Sequence, residues 1–261
     1  MIGRIYAVAL NTFREAIRHR ILWGILAMVV AFNLFAIVLG ELSLHEEARI
    51  ARDVGLGGLS LFGAFTAIYL GVSLLYGEIN KKTIYSIISK PIDRWEFVLG
   101  KYAGMATTLS ALVALFGVAM AALLWWQDVA FSAAMIKAIV LAYMEVLIVA
   151  AMAVFFSSFS TPFLSGIFTF AMFFFGRVTP EMRSFADRGD WMGFLCRRAL
   201  EILPDLHLYS VSGSLLDGDW VSVHGDFVSW GYVGTSLLFG LLYIAALLML
   251  AIVIFSRRDF V

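Results

Sequence analysis

The sequence predicts an all-α integral membrane protein with six transmembrane helices, on three observations. Hydrophobic residues make up 62% of the chain and charged residues 15%, where soluble domains run near half apolar and a quarter charged. The apolar residues gather into runs close to the about 20 residues that cross roughly 30 Å of hydrocarbon. Those runs lack the alternation of outer-membrane strands, and backbone groups in lipid must be bonded within the segment, which leaves helices as the spanning element.

The N-terminal segment 1–20, "MIGRIYAVALNTFREAIRHR", comes first and is neither a span nor a cleavable signal, since it has no compact apolar core after a basic start. Ile2, Ile5, Tyr6, Ala9, Phe13, Ala16 and Ile17 recur at three- and four-residue spacing, with Arg4, Asn11, Arg14, Glu15 and Arg18 elsewhere on the wheel. That pattern predicts an amphipathic helix lying along the membrane surface. Six apolar runs follow, at 21–39, 56–76, 102–125, 134–156, 162–176 and 233–255. The fifth is short and follows "SSFSTP" so closely that spans four and five form a hairpin, with Pro162 at a helix start where its missing N–H costs little.

Two polar stretches interrupt the runs. In 77–101, Ile84, Ile87 and Ile88 share one face of a short helix that must end before Pro91. Asp93 and Glu96, three apart, form an aspartate version of the capping box and start a second helix that runs through Phe97 into the third span. In 177–232, Asp190 is placed to cap a helix through "WMGFLCRRALEIL" that ends at Pro204. Its apolar side, Trp191, Phe194, Leu195, Ile202 and Leu203, suits a helix resting at the outer surface.

Orientation follows from lysine and arginine. Arg4, Arg14, Arg18 and Arg20, then Lys81, Lys82, Lys90, Arg94 and Lys101, then Arg257 and Arg258 all fall on one side of a six-span layout. The short loops facing the other way hold only Arg49 and Arg52. The positive-inside rule therefore puts both termini and the 77–101 loop in the cytoplasm, and makes 177–232 an external connector. The formal charge of +0 offers no basic excess for a nucleic-acid partner. A single cysteine, Cys196, has no CxxC or His/Cys cluster around it, and His207 and His224 stand alone, so no metal site is expected.

The polar loop then carries a resemblance. Glu78, Thr83, the run Ser89-Lys90-Pro91-Ile92, Arg94, Glu96-Phe97 and Gly100-Lys101 resemble the first cytoplasmic loop of ABC-2 type permeases. These are the membrane subunits of a class of ATP-driven transporters, some linked to multicopper enzyme maturation. The likeness extends over the whole chain, 1–261, as one permease domain: a basic amphipathic start, six spans, a tight hairpin, a long external connector and the basic ending "FSRRDF". It implies that the loop holds a coupling helix seated in a groove of a separate ATPase. Thr83, Lys90, Pro91, Arg94 and Glu96 would then be contact or scaffold residues, with Glu78 at the hinge. It also implies two permease copies, or a permease and a homologue, with two ATPase subunits, short re-entrant or surface helices in the connector, and export across the cytoplasmic (inner) membrane.

The ATPase is needed because no G-x-x-x-x-G-K-[ST] occurs: Gly100-Lys101 has Trp95 in place of the first glycine and is followed by Tyr102. No cofactor is expected on this chain, and ATP with Mg belongs to the partner. Gly100 and Gly104 stand at GxxxG spacing, which alone says little about a dimer face. Glu145 lies within the fourth span and cannot comfortably face lipid; a transport-pathway role and a hydrogen-bonded interhelical role both fit it. Asn33, in the first span, fits interhelical bonding better. The rival classes are an intramembrane protease and a non-transporting assembly subunit. "HEEAR" at 45–49 lacks the second histidine of HExxH, and no G-x-S-G occurs, so cleavage has little support.

Overall fold

The computed structural model describes residues 2–18, 23–24, 27–28, 31, 34–35, 47–80, 93–126, 132–186, 190–210, 213–214, 220–221 and 228–257. Their elements are α1 (Ile2–Arg18), α2 (Glu47–Asn80), α3 (Arg94–Trp126), α4 (Ala133–Ser157), α5 (Pro162–Arg177), α6 (Thr179–Ala186) and α7 (Trp191–Ile202). A 3-10 turn (Leu206–Tyr209), a two-residue hairpin (β1, Gly213–Ser214; β2, Trp220–Val221) and α8 (Trp230–Arg257) follow.

The bundle is built around α4. Its sequence is apolar on every side, and Ile148 through Val154 are all buried, as expected of a helix enclosed by others. It packs closest on α2, where small residues let the backbones approach. A Cβ at Gly63 would stand 2.6 Å from Val146 Cγ2, and one at Gly71 would collide with the Ala153 Cβ.

The pairings along these seams fix each helix's direction. Ser60 meets Glu145, Gly63 meets Val146 and Gly71 meets Ala153, so α2 and α4 run the same way. Opposite them runs α3, whose Tyr102 hydroxyl donates to Leu147 O at 3.2 Å while Ser110 Oγ lies 2.6 Å from Tyr143 Oη. Lys137 Nζ donates to Val228 O at 2.8 Å and Gly240 faces Met144, so α8 is parallel to α4. The turn at 158–161 makes α5 antiparallel to α4, with Pro162 at the first helical position and Phe156 packed on Phe159 and Phe168. This alternation is the one expected of successive membrane crossings.

The described residues carry part of the expected six-span layout. Among the described residues four helices are long and apolar enough to cross a membrane: α2 over Asp53–Ser73, α3 over Arg94–Ala122, α4 and α8. The expected fifth span is a 16-residue helix, α5, that turns by 69° into α6. It is shorter than the about 20 residues a crossing needs, so the count reaches five only if the bent pair is taken as one span. The expected first span, 21–39, lies largely outside the described residues, as does the short helix expected before Pro91. The second helix starts at Glu47, inside the stretch read as a loop.

Local signals behave as their chemistry requires. The Asp93 N–H donates to Glu96 Oε2 at 3.3 Å, one half of the capping box, and α3 continues unbroken through the third apolar run. Asp190 holds the N-cap position of α7 in extended conformation, without a side-chain capping bond. Segment 1–20 is helical over Ile2–Arg18, but it lies alongside α3 in the same direction: Arg4 meets Glu96, Val8 meets Gly100 and Thr12 meets Gly104.

Candidate functional site

Two polar clusters lie within this bundle, one at the entrance to α3 and one at the middle of α4. At the entrance, Arg94 reaches the C-terminus of α8, where Nη1 donates to Phe255 O at 3.2 Å and Ser256 O at 2.7 Å. The last carbonyls of a helix lack helical partners, and a cation there also answers the helix dipole. Phe97, one turn on, stacks on Phe255 with ring centroids 6.0 Å apart.

On its other side the start of α3 holds α1. The buried Glu96 carboxylate lies 3.7 Å from Arg4, and Lys101, with 2% of its side chain exposed, lies 3.6 Å from Glu15 and 5.8 Å from the Phe97 ring centre. The glycines make the fit possible. A Cβ at Gly100 would stand 2.7 Å from Val8 Cβ, and one at Gly104 2.5 Å from Thr12 Cβ and 2.6 Å from Ala9 O. The GxxxG spacing thus serves as the seat of α1. An apolar cavity of about 590 Å³ opens between the same two helices beside Phe13 and Ala111.

At the middle of α4, Glu145 is fully buried. Its Oε1 pairs with Arg177 Nε at 2.9 Å, and Oε2 accepts a hydrogen bond from Ser60. Three elements converge here: α4 brings the carboxylate, α2 the hydroxyl, and the last residue of α5 the guanidinium. A buried carboxylate without a cation would be several kcal/mol less stable, so the pair holds the end of α5 at this level.

Beyond Arg177 the chain folds back over the pair. Thr179 Oγ1 donates to Asp205 Oδ1 at 2.6 Å, and Arg183 pairs with the same carboxylate. The 3-10 turn that follows carries the buried Tyr209 against α8, with its hydroxyl donating to Ser236 O at 2.7 Å and lying where a side chain at Gly240 would stand. Burial raises the Tyr209 hydroxyl pKa above its ordinary value, helped by neighbouring Tyr232 and Asp205, so the group stays a neutral donor.

Of the residues singled out in the sequence, Arg94 and Glu96 share the α3 entrance, Glu145 lies in the buried cluster, and Glu78 stands in the last turn of α2. Asn33, Thr83, Lys90 and Pro91 lie outside the described residues. Sequence reasoning missed Arg177, read as the first residue of the connector, and the partners Glu15 and Ser60. The available signal was a lone arginine at the end of an apolar run, a group that needs an acid when it enters a membrane bundle.

The chain is matched over residues 6–260 by the model of a family described as ABC-2 family transporter protein. The chain belongs to that family. It is therefore an ABC-2 type permease, a multi-pass membrane transport component. Among curated proteins none matches this permease.

Proposed function

We propose that the chain is the membrane half of an ATP-driven exporter. Two copies, or one copy and a homologue, assemble with two separate ATPase subunits that hold ATP and Mg. Both termini and the 77–101 loop face the cytoplasm, and the complex sits in the cytoplasmic (inner) membrane. The single observation that carries this reading is the α3 entrance. The charged loop leads directly into a helix start tied to α1 through Glu96 and Lys101 and to α8 through Arg94. A load applied to the loop reaches three helices at once.

Within this reading Arg94 and Glu96 belong to the scaffold, because their side chains are engaged by their own chain. Residues 81–92, with Thr83, Lys90 and Pro91, are left to meet the ATPase, and Glu78 marks the hinge. Glu145 with Arg177 is a fixed interhelical bond beneath the connector, and α6, α7 and the 3-10 turn form the outer gate above it.

The test is purification in mild detergent with the candidate ATPase. Co-purification and permease-stimulated hydrolysis, lost when residues 83–90 are replaced by a Gly/Ser segment, are the expected results. Transport or full activity by the permease without any nucleotide-hydrolysing partner would overturn the proposal.

A further inference from the structure

We propose that α8 is the rod through which movement at the loop exit reaches the connector, with Arg94, Tyr209, Tyr232 and Tyr243 as its positioning residues. The inference rests on the ATPase reading above and names how its two ends communicate.

The observations lie at both ends of one helix. At the C-terminal end, Arg94 holds Phe255 O and Ser256 O while Phe97 stacks on Phe255, so the start of α3 cannot shift without carrying α8. In its N-terminal half, α8 is joined to the connector by three donating tyrosine hydroxyls, two of its own to connector carbonyls and one from the connector to a carbonyl of α8. Tyr209 donates to Ser236 O at 2.7 Å, Tyr232 to Leu208 O at 2.8 Å and Tyr243 to Ile202 O at 3.3 Å. The stretch from Ser236 to Ser256 is unbroken helix, about 30 Å at 1.5 Å per residue.

The remaining contacts of the connector explain why it would respond. The connector is also held at the Asp205 carboxylate, by Thr179 and Arg183 of the bent α5–α6 unit. The 3-10 turn thus lies where α8, α4 and the bent α5–α6 unit meet. A displacement of α8 along its axis pulls on Leu208 and Tyr209 through these bonds, while Glu145 and Arg177 hold the other side of the turn to α2 and α4. Bonds at both ends of one continuous helix give the loop exit and the connector a shared element through which each can bias the other.

The experiment uses the permease with its ATPase, with Cys196→Ser removing the single native cysteine and Leu208→Cys as reporter. Labelling by a membrane-impermeant maleimide is measured without nucleotide and with ATP plus vanadate. We expect nucleotide to change the rate about tenfold, within the ordinary range of coupling. Arg94→Ala, and separately the pair Tyr209→Phe with Tyr232→Phe, should abolish that change while the ATPase still co-purifies, and Arg94→Lys should restore most of it.

If both variants keep the full nucleotide-dependent change, the rod is overturned while the ATPase reading stands. If the unsubstituted complex shows hydrolysis but no change at Leu208→Cys, the rod is again overturned. A permease that recruits no ATPase defeats the reading itself. Hydrogen exchange on that isolated chain then decides the rod: Arg94→Ala must raise exchange at residues 206–210, and unchanged protection refutes it.

Discussion

Replacing Arg177 by methionine removes the cation that answers a fully buried carboxylate. Two unit charges about 4 Å apart interact by about 4 kcal/mol at an effective dielectric of 20. The guanidinium keeps 29% of its side chain exposed, which places the loss near the lower end of the roughly 3–5 kcal/mol seen when one partner of a buried pair is removed. Arg177→Met should therefore cost about 3 kcal/mol. The double variant Glu145→Gln with Arg177→Met should cost much less than the sum of the singles, because no unanswered charge is left behind. The assay is denaturant unfolding of the purified permease in mild detergent, run as a double-mutant cycle with Ser60 intact. A coupling energy of about 2 kcal/mol is expected. Additivity within about 0.5 kcal/mol, the limit for independent sites, would refute the assignment of this pair as the bond that holds the end of α5.

Three further predictions follow from the packing. Gly104→Leu drives a side chain against the Ala9 carbonyl and should lift α1 from α3, at about 1–3 kcal/mol and with faster proteolysis within residues 2–18; Gly166→Ala meets open space and should be neutral or stabilising by up to about 1 kcal/mol. Tyr209→Phe forfeits the bond to Ser236 O and should cost about 1 kcal/mol, read as a lower unfolding midpoint with unchanged ATPase binding. Reversing the charges as Arg94→Glu with Glu96→Arg places a carboxylate against the terminal carbonyls of α8 and an arginine against Arg4; permease-stimulated hydrolysis should fall several-fold while the helix content measured by circular dichroism is retained.

Much of the fold was legible because its signals are local. Pro162 after the serine-rich "SSFST" marks the hairpin, the Asp93–Glu96 spacing marks where α3 begins, and Asp190 before an amphipathic run marks α7. Glu145 was legible for a different reason: an ionisable residue in an apolar run is costly wherever it lands. The partners were not legible, since Ser60, Glu145 and Arg177 are brought together only by tertiary packing. The extent of α5 was hidden too, because an apolar run does not say whether its last residue reaches the far surface or stops at a carboxylate on a neighbouring helix. Gly100 and Gly104 show the same limit: the spacing announces close approach, and only the assembled structure says that α1 is what approaches.

The halt of α5 at Arg177 makes the barrier uneven with depth. From the 158–161 turn up to the level of Glu145, continuous rods stand side by side, and they can yield only by tilting as wholes. Past that level one corner of the wall is assembled from short pieces strung on a handful of tyrosine, threonine and aspartate contacts. Such a corner can part a few bonds at a time, whereas the rods on the other side of that level move only as wholes.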